Sequence, residues 1–133
     1  DCHGRVHWSI PHLKQAVEQN FYPDIISSDA VRISEYVRPG FSLLFAMTML
    51  SAVGAPIEKI LQCVTVNPAR ALGVSSRAGA LKPGMPADIT VLDIIDYDKI
   101  LTDQYGNQIP GKKLFIPLLT MISGRIAYRQ IFF

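Results

Sequence analysis

Apolar and polar positions alternate along this chain in three textures. From residue 1 to about Pro39 a His-bearing opening leads into "IPHLKQAVEQN", where Leu13, Ala16 and Val17 recur at the i, i+3, i+4 spacing of a helix face. Asn20 is a suitable stop for that helix. "DIISSD" follows Pro23; it is short and Ile-rich, which predicts a strand. In the second zone "FSLLFAMTMLSAV" is apolar nearly all round, the pattern of a buried helix, and Gly54 should end it. "PIEKILQCV" predicts another helix, with Pro56 in the first turn, Glu58 behind it, and Ile57, Ile60, Leu61 and Val64 in one stripe. "NPARALG" predicts a short third one, with Asn67 as N-cap, Pro68 in first position and Gly73 as the stop.

From Ala78 onward the pattern changes to β. Pro83-Gly84 suits a type II turn, and Asp88 is expected to fix that hairpin through backbone hydrogen bonds. "ADITVLDII" is rich in Ile and Val, and "KLFIPLL" and "TMISGRIAYRQIFF" read as two further strands joined at Ser123-Gly124. The intervening "DYDKILTDQYGNQIPGKK" is polar and turn-rich. No internal repeat or low-complexity tract interrupts these zones. A strand-and-helix start followed by a β block predicts an α/β unit joined to a small β domain.

Composition narrows the function classes. The 133 residues, 49% hydrophobic, are enough for one ordinary core. A net charge of +2, with 13 basic and 11 acidic side chains scattered along the chain, argues against a nucleic-acid partner. No run approaches the roughly 18 consecutive apolar residues of a membrane span. The two cysteines, Cys2 and Cys63, have no framework spacing, which fits a reducing, cytoplasmic setting. The chain opens on "DCHG" without a Met, as if cut from something longer.

Candidate chemistry is sparse. In parallel α/β structures the working side chains sit where strands end. Asp29 occupies that position after "DIISS". A carboxylate there can ligate a metal or accept a proton from an attacking water, and it can equally cap a helix or sit in a turn. His3 and His7 are four apart, a spacing that could bind zinc on a helix, but "GRV" between them reads as loop. His12 lies on the predicted first helix, facing solvent. There is no phosphate-cradling loop, no nucleophile elbow and no aromatic platform backed by a basic stripe.

Taken together, "VTVNPARALGV", "GALKPGMPADITVLD" and "ISGRIAY" resemble the C-terminal end of the amidohydrolase superfamily of metal-dependent hydrolases. "FYPDIISSDA" is similar to the eighth-strand segment of the dihydroorotase-like and deacetylase-like subgroup. "DCHGRVHWS" is similar to the loop that precedes it. The resemblance implies the C-terminal part of a (β/α)8 barrel: residues 1–75 as its last βα units, and 76–133 as strands of a small β-sandwich. A closed barrel takes roughly 250 residues, so this chain would hold only part of one.

The resemblance also implies metal-assisted hydrolysis of an amide, cyclic amide or ester, with Asp29 as metal ligand and general acid/base. The cofactor would be one or two divalent ions, zinc by expectation, with most ligands outside this chain. Substrate contacts would fall at His3 and Gly4. The family's His-x-His, its bridging lysine and two later histidines have no counterpart here, and Val31 stands where subgroup members often carry His. The partner expected is a small-molecule substrate, with no nucleic acid, no membrane and room for a homo-oligomer. This chain alone is expected to be inactive and aggregation-prone. Two alternatives stay open. One is a truncated, non-catalytic remnant that acts as an interaction or regulatory protein. The other is a small metal-binding domain built on His3, His7 and Asp29.

Overall fold

The computed structural model describes residues 9–28 and 42–132. Among these residues four helices come first: α1 (Ile10–Glu18), α2 (Leu43–Ala52), α3 (Ile57–Val64) and α4 (Val66–Ala71). Five strands follow: β1 (Ile89–Asp96), β2 (Ile100–Thr102), β3 (Gln108–Pro110), β4 (Lys113–Ile122) and β5 (Arg125–Arg129). The class is mixed helix and sheet, as the pattern predicts.

The helices form where their apolar periodicity places them. α1 buries Ile10 and Val17. α2 begins at Ser42, whose side chain accepts the Phe45 N–H, and every residue from Ala46 to Ala52 is buried, as an all-apolar helix requires. α3 buries Ile60 and Cys63. Three of these helices end alike. Asn20, Gly54 and Gly73 take the left-handed conformation. The N–H of the residue after each bonds back to the carbonyl of Ala16, Leu50 and Ala69 respectively. That arrangement satisfies carbonyls the last turn leaves open.

Two of the cap expectations need correction. Pro56 is the N-cap of α3 and so precedes its first turn. α4 starts two residues earlier than expected: Thr65 is its N-cap, so Asn67 and Pro68 lie inside the helix. Asn67 is freed from capping, and its side chain is used elsewhere.

"GALKPGMPAD" folds back over α4. Met85 N–H bonds to the Lys82 carbonyl at 3.1 Å, and Gly84 at the third position has φ +86°, which fits the expected type II turn. Gly79, also at φ +86°, passes so close to α4 that a Cβ there would lie 2.6 Å from Ala69 Cβ and 2.9 Å from the Thr65 carbonyl oxygen. The motif needs glycine at 79 for two reasons at once, its backbone angle and the helix against it.

β1, β4 and β5 make a three-stranded antiparallel sheet in the order β1-β4-β5. "KLFIPLLTMI" is thus one long central strand, and the turn at Ser123-Gly124 stands where expected. Pro117 lies in that central strand, where a missing N–H would break the ladder. The register shifts there: Val91 pairs with Leu119 and Leu92 with Pro117, leaving Leu118 as an extra residue. A bulge thus accommodates the proline. Asp88 does make a backbone bond, but to a different hairpin: its Oδ1 accepts the Ser123 N–H at 2.7 Å, beside Gly124 N–H donating to the Ala87 carbonyl at 3.0 Å. The polar linker also holds an unforeseen hairpin, β2–β3, paired from Ile100↔Pro110 to Thr102↔Gln108.

One core serves helices and strands. Ile10 and Val17 of α1, Met47, Met49 and Leu50 of α2, Ile60 and Cys63 of α3, Leu101 of β2 and Phe115 of β4 belong to the same buried cluster. α2 packs on β4 and on α3. The strand predicted over "DIISSD" is absent from the described part, residues 24–28. A strand exists only by pairing, and among the described residues no strand lies alongside this segment.

Candidate functional site

Asp29, His3 and Gly4, together with His7, lie outside the described residues. The structure describes the chain leading up to Asp29 and what holds it. The Pro23 carbonyl accepts a hydrogen bond from the Cys63 thiol at 3.0 Å. The Asp24 carbonyl accepts one from Asn67 Nδ2 at 2.8 Å. Ile26 N–H donates to the Cys63 carbonyl at 3.3 Å. α3 and α4 thus grip the segment at three points.

The chemistry of Cys63 suits this role. It is 2% exposed, and burial, aided by the nearby Asp24 carboxylate, pushes its thiol above the ordinary value. It stays protonated at neutral pH, a donor to Pro23 and a poor nucleophile or metal ligand. A surface cleft of about 270 Å³ opens alongside, lined by Tyr22, Asp24, Lys59, Gln62, Cys63 and Asn67. It flanks the start of the segment, whereas chemistry in parallel α/β structures gathers beyond the strand's far end.

His12 is on α1 and exposed, as expected, with Nδ1 2.6 Å from the Ser9 hydroxyl. Among the described residues no group of three or more His, Cys, Asp or Glu comes together that could hold a metal ion. These residues therefore do not by themselves fit a metal centre. Likewise, no helix among them is long and apolar enough to cross a membrane.

Three residues with placing roles escape the sequence pattern: Cys63, Asn67 and Asp103, whose Oδ2 accepts the Ile10 N–H at 2.9 Å. Asn67 carried a signal, the motif "NPARALG", but its type suits a cap as well as a tether. Cys63 lies on the predicted helix "PIEKILQCV" but outside its named stripe, and its spacing from Cys2 says nothing of a tether. Asp103 sits in the turn-rich "TDQYGN", which marks a turn and nothing beyond it.

The family model described as the amidohydrolase family matches residues 5–127, nearly the whole chain. The chain belongs to the amidohydrolase family. Within that family it is 32% identical over 120 residues to a deacetylase of Brucella anthropi, which covers 90% of this chain and 29% of that protein. It is 33% identical over 95 residues to a dihydroorotase of Desulforapulum autotrophicum, covering 67% of this chain and 22% of that one. Among solved structures, an adenine deaminase superposes with a TM-score of 0.88 at 28% identity, over 97% of this chain and 34% of the other. A dihydroorotase superposes with a TM-score of 0.82, also at 28% identity, over 97% and 34%. The amidohydrolase chain thus spans about a third or less of the relatives it matches. The resemblance stated from its motifs is confirmed at the level of family, and with it the kinship to hydrolases.

Proposed function

We propose that this chain is the C-terminal portion of an amidohydrolase-type enzyme that hydrolyses a C–N bond, in an amide or cyclic amide, or an ester. The family match over residues 5–127 carries the reading. In it, residues 1–75 are the last βα units of a (β/α)8 barrel and 76–133 contribute strands to a small β-sandwich. Asp29 is the working carboxylate. It accepts a proton from the attacking water and returns it to the leaving nitrogen or oxygen. It also serves as one ligand to a divalent ion, zinc by expectation, whose other ligands come from outside the described residues. Such an ion, when bound, supplies activation of water and polarisation of the carbonyl.

His3 and Gly4 contact a small-molecule substrate. The grip of Cys63 and Asn67 on residues 23–24 supports this reading, because it fixes the path of the chain toward Asp29. The relatives' names suggest the first substrates to try: acetylated small molecules, dihydroorotate and adenine.

The test is Asp29→Asn in the full-length enzyme, assayed on that panel. Loss of a general acid/base should lower kcat by about 10²–10⁴-fold, with the melting temperature unchanged and the content of bound metal reduced. A variant that keeps more than half of the activity overturns the assignment.

A further inference from the structure

The cleft beside Cys63 carries two opposite charges that do not meet. α3 contributes Lys59, Gln62 and Cys63 to its lining, at the i, i+3, i+4 spacing that sets side chains on one helix face. Phe21 and Asp24, from the chain that follows α1, line it as well. The Cys63 thiol feels both charges. Burial is the largest influence on it, after which the Asp24 carboxylate raises its pKa and the Lys59 ammonium lowers it. Among the described residues, however, Asp24 and Lys59 form no ion pair with each other or elsewhere, and the Gln62 side chain makes no hydrogen bond.

This charge pattern narrows what the cleft suits. A simple anion drawn to Lys59 meets the Asp24 carboxylate, and a metal ion drawn to Asp24 meets the Lys59 ammonium. Nor do the described residues gather three metal-binding groups anywhere. A molecule that carries both charges answers both, its ammonium on Asp24 and its carboxylate on Lys59, with the Gln62 amide able to donate or accept. Phe21, 73% exposed, offers an apolar side chain a surface to lie on. The volume of about 270 Å³ falls just below the roughly 300–1,000 Å³ of pockets for drug-sized molecules, so the ligand is small. Bound there, it touches both α3 and the segment that α3 grips.

We propose that the cleft binds a small zwitterion, a free amino acid, and that binding clamps residues 21–26 onto α3. The inference is independent of the role given to Asp29. Hydrogen exchange in the full-length enzyme tests it, read at the Ile26 amide with leucine as ligand. That amide bonds to the Cys63 carbonyl and exchanges when the segment leaves α3. Exposed ion pairs are weak, so leucine should act at millimolar concentrations. At about ten times its dissociation constant, exchange should slow about tenfold. Isocaproate, which lacks the ammonium group, and isoamylamine, which lacks the carboxylate, should each leave the rate unchanged at that concentration. Lys59→Met and Asp24→Asn should each abolish the effect of leucine, every variant being compared with itself in the absence of ligand. No slowing at any soluble concentration of leucine overturns the proposal. Slowing that isocaproate or isoamylamine reproduces overturns it too. Slowing that survives in either variant places leucine elsewhere on the enzyme and does the same.

Discussion

Gly79 and Gly84 share φ +86° but differ in surroundings, and alanine at each separates two costs that usually arrive together. At Gly84 a Cβ meets nothing within 4 Å, so Gly84→Ala bears only the left-handed backbone term, about 1–2 kcal/mol. At Gly79 the same term applies, and the new methyl lies 2.6 Å from Ala69 Cβ, 2.9 Å from the Thr65 carbonyl oxygen and 3.2 Å from Val66 Cα. None of these atoms can rotate away, because two are backbone and the third is the methyl of a buried alanine. Restoring ordinary carbon contact, about 3.5–4.0 Å, requires α4 to move by about 1 Å. Overpacking of this kind costs about 1–3 kcal/mol more. Gly79→Ala should therefore lose about 2–5 kcal/mol in total, against a typical domain stability of about 5–15. Both variants gain equally from a stiffer unfolded chain, so that effect cancels in the comparison. Equilibrium urea unfolding followed by circular dichroism is the assay. With slopes of about 1–3 kcal/mol per molar, the midpoint of G79A should fall about 1 M below that of G84A. Equal midpoints would refute the argument that the close passage over α4, as well as the turn angle, dictates glycine at 79.

Asn67→Asp keeps the side chain's shape but turns a donor into an acceptor facing the Asp24 carbonyl. It should cost about 1 kcal/mol of stability but about 10–100-fold in kcat of the full-length enzyme, through misplacement of the path to Asp29; a kcat that falls only with the folded fraction counts against the tether. Ile60 is 0% exposed, so Ile60→Ala should cost about 2–5 kcal/mol, read from the same urea curves. Asp103 gives a pH signature. Desolvation would raise its carboxyl, but hydrogen bonds from Ile10, Asn107 and Tyr105 together hold it below the ordinary value. A depressed folded value stabilises above the unfolded pKa of about 3.9 and is lost as pH falls through the folded one. The stability gap between the native chain and D103N should accordingly be flat above about pH 5 and shrink below about pH 4, as acid titration of unfolding will show.

Those residues also show what could be read from the sequence and what could not. The all-apolar run of α2, the stripe of α3 and the Pro83-Gly84 turn encode their structures within a few neighbouring positions, and each forms as expected. "DIISSD" does not over residues 24–28, because a strand is a property of two segments and no strand among the described residues lies beside it. Asn67 was legible as a residue with a polar task, yet its partner is 43 positions away. Its side chain suits a cap as well as a tether, so local grammar favoured the cap. For Asp103 only half its work is local: the turn shows in "DQYGN", while the bond to Ile10 depends on a fold that brings residues 93 apart together. The motifs that carried the family resemblance turn out to be mostly packing devices. Gly79 lies against α4 and Asp88 ties the β4–β5 turn.

Cys63 offers a way to watch this architecture breathe. Its sulfur is shielded and protonated while the 23–26 segment lies against α3, so alkylating reagents can reach it only when that contact opens. The rate of its labelling is then a clock for local opening along the path to Asp29. A small molecule that tightens the site should slow the clock even where turnover is too weak to detect.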